Sequence, residues 1–473
     1  MTATRIARAS TAYLAVTAAE TVATLLTVPV MTRHLSPTDY GLMLLITNIA
    51  AGVNLLFGFT LAQALPALWA GAASIDRRKA TATTLLWAIA ALSGSVYVLV
   101  AATGSGNALV APAPVALAAT ASFLLALGLC LASLVRLEER PRLFATVQIS
   151  ALAIQTCLLL YLLVVRGGGL ASLYAAMFAA GLMTAATYGF ALRHLLLARF
   201  EWPILGEAVR IGARMLPWQL ANLLAANSAG ILLVRSGHVD QAGLFAVAAG
   251  AVAIFVSVSN SFINAWTPYV LLRHAEPDLR AMQLKVFAVY SSGLLVMAAA
   301  LSLFAQDIFA IYLGSSFREA YHFVPPLVGA YSLFCFANAF SQGLQAKQGM
   351  EAYTWIGAAS AAAFAATGLA LIGRFGGYGL IVAMAAAFLT MLVLLQRASE
   401  RLLPVGYPWL RHGLMWLAAI GVVAAIYGVG GTWRGEAVKV VAMLVVCGLP
   451  FGFGVMRRSD LIDIAALRPW RKD

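Results

Sequence analysis

The sequence predicts an all-α integral membrane protein. It has about fourteen transmembrane helices: two parallel six-helix repeats forming two lobes, plus two C-terminal helices. Three observations carry this. Of 473 residues, 62% are apolar and only 10% are charged, where a soluble domain is about a quarter charged. Apolar runs long enough to span a bilayer recur along the whole chain. The two halves also match each other at a nearly fixed offset. Mean hydropathy is +0.88. This composition excludes a soluble enzyme, a disordered chain and a basic nucleic-acid binder.

Taken in order, the expected spans are 9–32, 41–68, 81–103, 114–135, 143–165, 170–192, 215–234, 243–271, 284–305, 321–344, 353–373, 379–396, 412–430 and 438–456. The first run is longer than the roughly 7–15 residues of a secretory signal, so it stays as a helix. Gly104–Gly106, Arg166–Gly169 and Phe375–Gly379 punctuate the chain between spans. With both termini cytoplasmic, 24 of the 31 basic residues fall on the inner side. That bias is the positive-inside signature, and it accounts for most of the +13 net charge. The expected location is a bacterial inner membrane.

The longest inner segment, 193–214, is amphipathic and basic, with Phe200 and Trp202 at headgroup level. A plain connector between two halves fits it equally. Sliding the chain by 202 positions matches Arg8 with Arg210, Arg33 with Arg235, Gly41 with Gly243, Pro66 with Pro268 and Asp76 with Asp278. Further on, RGGGL at 166–170 meets GGYGL at 376–380. The expected parts are an N-terminal lobe, 1–205, a second lobe, 206–396, and two added helices with a basic tail, 397–473. Parallel repeats of this kind mark transporters, with substrate bound between the halves.

A charge at mid-bilayer is costly, so its presence points to a protein-lined or wet cavity. Of 18 acidic residues, Glu20 alone lies deep inside an expected span. Thr17, Glu20 and Thr24 share one helical face. Asn48, Asn54, Gln219, Asn222, Asn260, Asn264 and Gln342 give further polar positions, chiefly on helices 2, 7, 8 and 10. Helices 1, 2, 7 and 8 are therefore the expected cavity wall. Hydrogen bonding between packed helices is the competing reading for each isolated residue. Pro29, Pro66, Pro217 and Pro268 lie in the same four helices and permit kinks.

Arg33, Arg235, Arg214, Arg273 and Lys347 stand near helix ends as candidate phosphate or anion sites. Snorkelling to lipid headgroups is the alternative. Cys130, Cys157, Cys335 and Cys447 read as small core residues. The six histidines lie near span ends and receive no role. No metal or cofactor site is read, and no nucleotide-binding or catalytic motif stands out. DIFAIYLGSSF, 307–317, is the one sizeable outer segment, too short for a catalytic domain.

VPVMTRHLSPTDYGLMLL at 28–45 resembles the helix 1–helix 2 junction of the polysaccharide-biosynthesis flippases. IGARMLPWQLANLLAANSAGILLVRSGHVDQAGLFAVA at 211–248 resembles the start of the second half in the same family. The resemblance covers most of 10–400. These O-antigen-type oligosaccharide flippases belong to the multidrug/oligosaccharidyl-lipid/polysaccharide exporter (MOP) superfamily. The resemblance implies two six-helix lobes, alternating access, and an oligosaccharide on undecaprenyl diphosphate as substrate. It implies polysaccharide polymerase and ligase machinery as downstream partners, beside membrane lipids, and no nucleic acid. It implies no enzyme activity. The coupling ion, H+ or Na+, stays open. Rival readings are an ion-coupled drug antiporter, a lipid II flippase, a polytopic glycosyltransferase and a non-transporting assembly protein.

Overall fold

The computed structural model describes residues 3–54, 61, 64–65, 68–69, 74–104, 112–138, 140–213, 228–273, 279–346, 351–429 and 433–456. It divides into two units, Met1–Gly243 and Leu244–Asp473. That division follows spatial contact, whereas the three-part division above follows sequence symmetry.

The helices run α1 (Ala3–His34), α2 (Pro37–Val53), α3 (Ile75–Gly104), α4 (Pro112–Leu137), α5 (Pro141–Leu160), α6 (Gly169–Ala191), α7 (Ala229–Arg235), α8 (Val239–Arg273), α9 (Leu279–Tyr312), α10 (Val324–Ala346), α11 (Glu351–Phe375), α12 (Gly377–Leu402), α13 (Trp409–Ile426) and α14 (Trp433–Gly452). Among the described residues, eleven segments are long and apolar enough to cross a membrane. The protein is therefore a multi-pass membrane protein. Helix α1 covers the expected span 9–32. Spans 41–68 and 215–234 are covered at one end by α2 and α7, and the rest of each lies largely outside the described residues.

Several helices outrun their apolar cores. α14 starts at Trp433, five residues before the expected 438, with Glu436 in its first turn, where a negative charge suits a helix N-terminus. The outer segment 307–317 is likewise no free loop. Asp307–Tyr312 completes α9, and Ser315–Phe323 forms 3-10 turns.

Each unit repeats the same internal pairings. In the first, α4 packs on α6 and on α3, and α5 packs on α6. In the second, α10 packs on α12 and on α9, and α11 packs on α12. Every partner is shifted by six helices, as a duplication requires. Glycines with positive φ precede the sixth and twelfth helices: Gly167 at 61° and Gly376 at 53°. Only glycine adopts that backbone without steric cost.

The start of α2 shows how local chemistry places a helix. Ser36 and Asp39 form a reciprocal capping box, with Pro37 at the first helical position. The first turn of α2 meets the first turn of α8 within the first unit. A Cβ on Gly41 would strike the Val239 carbonyl, and one on Gly243 would strike the Pro37 carbonyl. Gly41 and Gly243 are repeat mates, as are Pro37 and Val239. The contact is thus reciprocal about a local two-fold. Thr38 donates a 2.6 Å hydrogen bond to Asp240, its own repeat mate 202 residues away.

The core of the first unit holds Leu65, Leu85, Ile89, Leu134, Tyr188 and Leu192, all fully buried. Segment 193–213 docks on it: Thr83 donates to the Leu195 carbonyl at 3.1 Å, and Thr84 accepts from the Glu201 amide at 3.0 Å. Residues 202–213 are helical, with Ile204 and Ala208 buried and Trp202 exposed against Phe200. The segment is an amphipathic helix seated on the core. The cysteines differ from expectation: Cys130 and Cys335 are buried, but Cys157 is exposed on α5 and Cys447 is only half-buried. An apolar run in a membrane has a lipid-facing side as well as a core side.

In the second unit, α13 and α14 are fastened to α9. Lys439, 2% exposed, pairs with Asp307 of α9 and with Glu436 at 3.2 Å. The α12–α13 linker is held by Glu400, which accepts from the Val405 and Gly406 amides at 2.9 and 2.5 Å. Arg280 donates to the Val405 carbonyl at 2.8 Å.

Gly41→Ala and Gly243→Ala should each cost about 1–3 kcal/mol by overpacking, whereas Gly250→Ala, with open space around it, should not destabilise. Thermal unfolding in detergent checks this. Lys439 is the buried member of its cluster, while Asp307 and Glu436 still reach solvent. The double change Asp307→Asn/Glu436→Gln strands a buried charge and should lose about 3–5 kcal/mol, more than Lys439→Met in the same assay.

Candidate functional site

A deep concavity among the described residues lies wholly in the second unit. It is an apolar groove of about 850 Å³ between α9, α10, the start of α12 and α13, within the usual range of ligand sites. Helix α13 supplies one wall through Trp409, His412, Gly413, Trp416, Ala419, Ile420, Val423 and Ala424, ending at Tyr427. Their spacing of three and four places them on a single face. Helix α9 contributes Leu295, Ala298, Ala299 and Ser302. Helix α10 contributes Gly329 and Ser332, besides Pro325 and Pro326. The prolines sit in the first turn of α10, where no intrahelical amide bond is lost. Small side chains on α9 and α10 leave the space that bulky ones on α13 would otherwise fill.

At one end, near Trp409, aromatic rings close the groove. Phe287 packs against Tyr407 at 4.7 Å, His412 at 4.9 Å and Phe340 at 5.5 Å between ring centroids. His412 is buried, with Nδ1 3.1 Å from Ser291 Oγ. Trp416 Nε1 donates to the same hydroxyl at 3.2 Å. Behind this floor, Ser259 and Tyr290 share a 2.7 Å bond, and Tyr290 donates to the Cys335 carbonyl at 2.9 Å.

At the other end stands a rim of polar aromatics. His322 Nδ1 lies 2.9 Å from the Tyr427 hydroxyl. Tyr321 lies tilted against His322 with ring centroids 4.0 Å apart, and Tyr378 enters from α12 against Phe323 at 5.0 Å. Burial, then the neighbouring Tyr321 and Tyr378, push the Tyr427 phenol up to about 12.

The residues expected from sequence fall as follows. Glu20 and Thr24 are exposed on α1, and Thr24 Oγ1 donates to the Glu20 carbonyl at 2.9 Å. Asn48 is buried, its amide oxygen accepting from the Gly230 amide at 2.7 Å. Asn54 accepts from the Tyr97 hydroxyl at 3.1 Å. Asn260 is half-buried on α8. Arg33 and Arg235 are exposed at the ends of α1 and α7. Gln219, Asn222, Arg214, Lys347, Pro66 and Pro217 lie outside the described residues. Thr17, Asn264, Gln342 and Arg273 lie on described helices, with their side chains outside the description. The structure thus joins Asn48 to α7 and Thr24 to the Glu20 backbone.

A family model described as polysaccharide biosynthesis protein matches residues 30–322. The chain belongs to the polysaccharide biosynthesis protein family. No curated protein sequence matches this family member. Among solved structures it resembles the lipid II flippase MurJ in an inward closed conformation, with TM-score 0.69 at 10% identity over 95% of this chain and 99% of that one. It also resembles an inward-facing multidrug resistance MATE family transporter of the MOP superfamily, with TM-score 0.63 at 13% identity over 80% and 94%. A MOP superfamily transporter from Pyrococcus furiosus gives 0.57 at 13% identity over 84% and 95%. At such identities the likeness is one of fold.

Two features of this polysaccharide biosynthesis protein escaped the sequence reading. The spacing Trp409, His412, Trp416 was visible, but an apolar stripe looks like any lipid-facing helix. The His322–Tyr427 pair joins residues 105 apart, and no local pattern marks it.

Asn48→Leu strands the Gly230 amide and should cost about 1–3 kcal/mol, whereas Thr24→Val on the exposed α1 face should stay within about 0.5 kcal/mol. Denaturation midpoints of the two variants check the contrast.

Proposed function

We propose that the protein is a flippase for undecaprenyl-diphosphate-linked oligosaccharides in the bacterial inner membrane, serving O-antigen or exopolysaccharide synthesis. Family membership and the MOP fold support transport of a polysaccharide precursor. The observation that carries the lipid part is the length of the groove. From Trp409 to Tyr427 the α13 wall rises about 27 Å at 1.5 Å per residue. That is close to the ~30 Å hydrocarbon core, about twice what a chain confined to one leaflet needs. A polyprenyl chain longer than a leaflet suits such a groove.

On this reading the two repeats, 1–205 and 206–396, act as alternating-access lobes, and 397–473 adds the tail-binding helices. Both termini are cytoplasmic, so the His322–Tyr427 rim faces outward. Glu20, exposed on α1, is the candidate for a coupling H+ or Na+. Arg33, Arg235, Arg214, Arg273 and Lys347 are candidates for guiding the diphosphate. Polymerase or ligase machinery would receive the product. The chain works as a transporter and not as an enzyme.

The test is a proteoliposome assay that follows a lipid-linked oligosaccharide from one leaflet to the other. Wild-type protein should transport it. Ala299→Trp, which fills the groove, and Glu20→Gln should each slow transport by about tenfold or more, equivalent to about 1.4 kcal/mol, at unchanged protein level. Transport of a cationic drug with no movement of the lipid-linked sugar would replace this reading with the antiporter one.

A further inference from the structure

The groove mouth is chemically unlike its walls. Among the described residues lining the groove there is no Arg, Lys, Asp or Glu. Three residues at the mouth nevertheless carry hydrogen-bonding groups: His322 before α10, Tyr378 on α12 and Tyr427 after α13. They come from three separate segments. Interfacial tyrosines are common in membrane proteins as isolated anchors. Here they converge, His322 and Tyr427 bond to each other at 2.9 Å, and the Tyr321 ring lies tilted against His322. An arrangement with an apolar trough at one end and clustered donors at the other matches a single-chain amphiphile with an acceptor-rich head.

We propose that His322, Tyr378 and Tyr427 form a head-group subsite that holds the first phosphoryl group of a polyprenyl phosphate whose chain lies in the groove. This rests on the flippase reading above and adds a specific site to it. The order of parts in the ligand decides for phosphate over sugar. In a polyprenyl-linked glycan the phosphoryl group follows directly on the chain, so it is what meets the mouth. Phosphoryl oxygens accept hydrogen bonds and do not donate them, which suits the one donor that the bonded His322–Tyr427 pair leaves over and the Tyr378 hydroxyl beside it. Arg318 stands four residues before His322 in the same 3-10 segment and is exposed. Glu319 beside it is also exposed, and neither lines the groove. A subsite with no arginine of its own holds a phosphate less tightly than a bidentate arginine does, as a position from which product must leave requires.

The experiment measures binding of undecaprenyl phosphate, undecaprenol, phosphatidylglycerol and inorganic phosphate to the purified full chain in detergent. Undecaprenol has the same chain without the phosphoryl group, so the affinity ratio of the two isoprenoids reads the head-group subsite alone. Wild-type protein should favour undecaprenyl phosphate by about fivefold or more, near 1 kcal/mol. In Tyr427→Phe/His322→Gln that ratio should fall to about one with undecaprenol affinity unchanged. Tyr378→Phe alone should give a smaller fall of the same sign, and it removes only one hydroxyl should the double variant fold poorly. A ratio preserved in all variants would overturn the subsite while leaving the flippase reading intact. A wild-type protein that binds neither isoprenoid better than phosphatidylglycerol would overturn the groove reading and the subsite together. If inorganic phosphate alone competes away the preference at equal concentration, the rim is a free-anion site and the lipid assignment falls.

Discussion

The close approach of α2 to the first turn of α8, Val239–Gly243, is the constraint on which the first unit turns. Two helix starts meet at backbone distance only because glycine stands at 41 and at 243. Each glycine faces the residue that is the repeat mate of the other's contact. The same surface therefore serves both sides, as in a symmetric dimer interface. Side-chain chemistry reinforces what sterics allow. The Ser36–Asp39 box fixes where α2 begins, and the Thr38–Asp240 bond fixes its register against α8. Slightly further along, Gly230 brings α7 against the α2 backbone, and Asn48 satisfies its amide.

The second unit solves a different problem. Its helices α9–α12 pair as α3–α6 of the first unit do, but two further helices must be attached to them. In a bilayer there is no hydrophobic drive for helix to prefer helix over lipid. Polar contacts do the attaching: Lys439 with Asp307, Arg280 with the Val405 carbonyl, and Glu400 with two linker amides. Ser291 of α9 then meets His412 and Trp416 of α13, and the groove is the space left beside that contact.

Much of the fold could be read from the sequence because it follows from solvent and covalent facts. Apolar length marks the helices, the 202-residue offset marks the duplication, and glycines such as Gly167 and Gly376 mark turns. The α2 cap was written in SPTDYG. The site was harder to read. Glu20 drew notice because a carboxylate in an apolar run is conspicuous, and a single exposed side chain says little about what it meets. Asn48 was recognisable as a buried polar group, but its partner lies 182 residues away. Lys439 stands in the first turn of the expected span 438–456, and its partner Asp307 lies 132 residues away. His412 and the rim residues depend on which faces α9, α10 and α13 turn to one another, and periodicity on one helix does not encode that.

The groove has a property that bears on how such sites are found. Its depth comes from Ala298, Ala299, Ser302, Gly329 and Gly413, residues distinguished by how little side chain they carry. Replacing them with alanine removes almost nothing. A conventional alanine scan across α9, α10 and α13 would therefore pass over the trough and register only its aromatic ends. The informative scan runs the other way, adding bulk one position at a time, so that the boundary of tolerated volume traces the outline of whatever lies there.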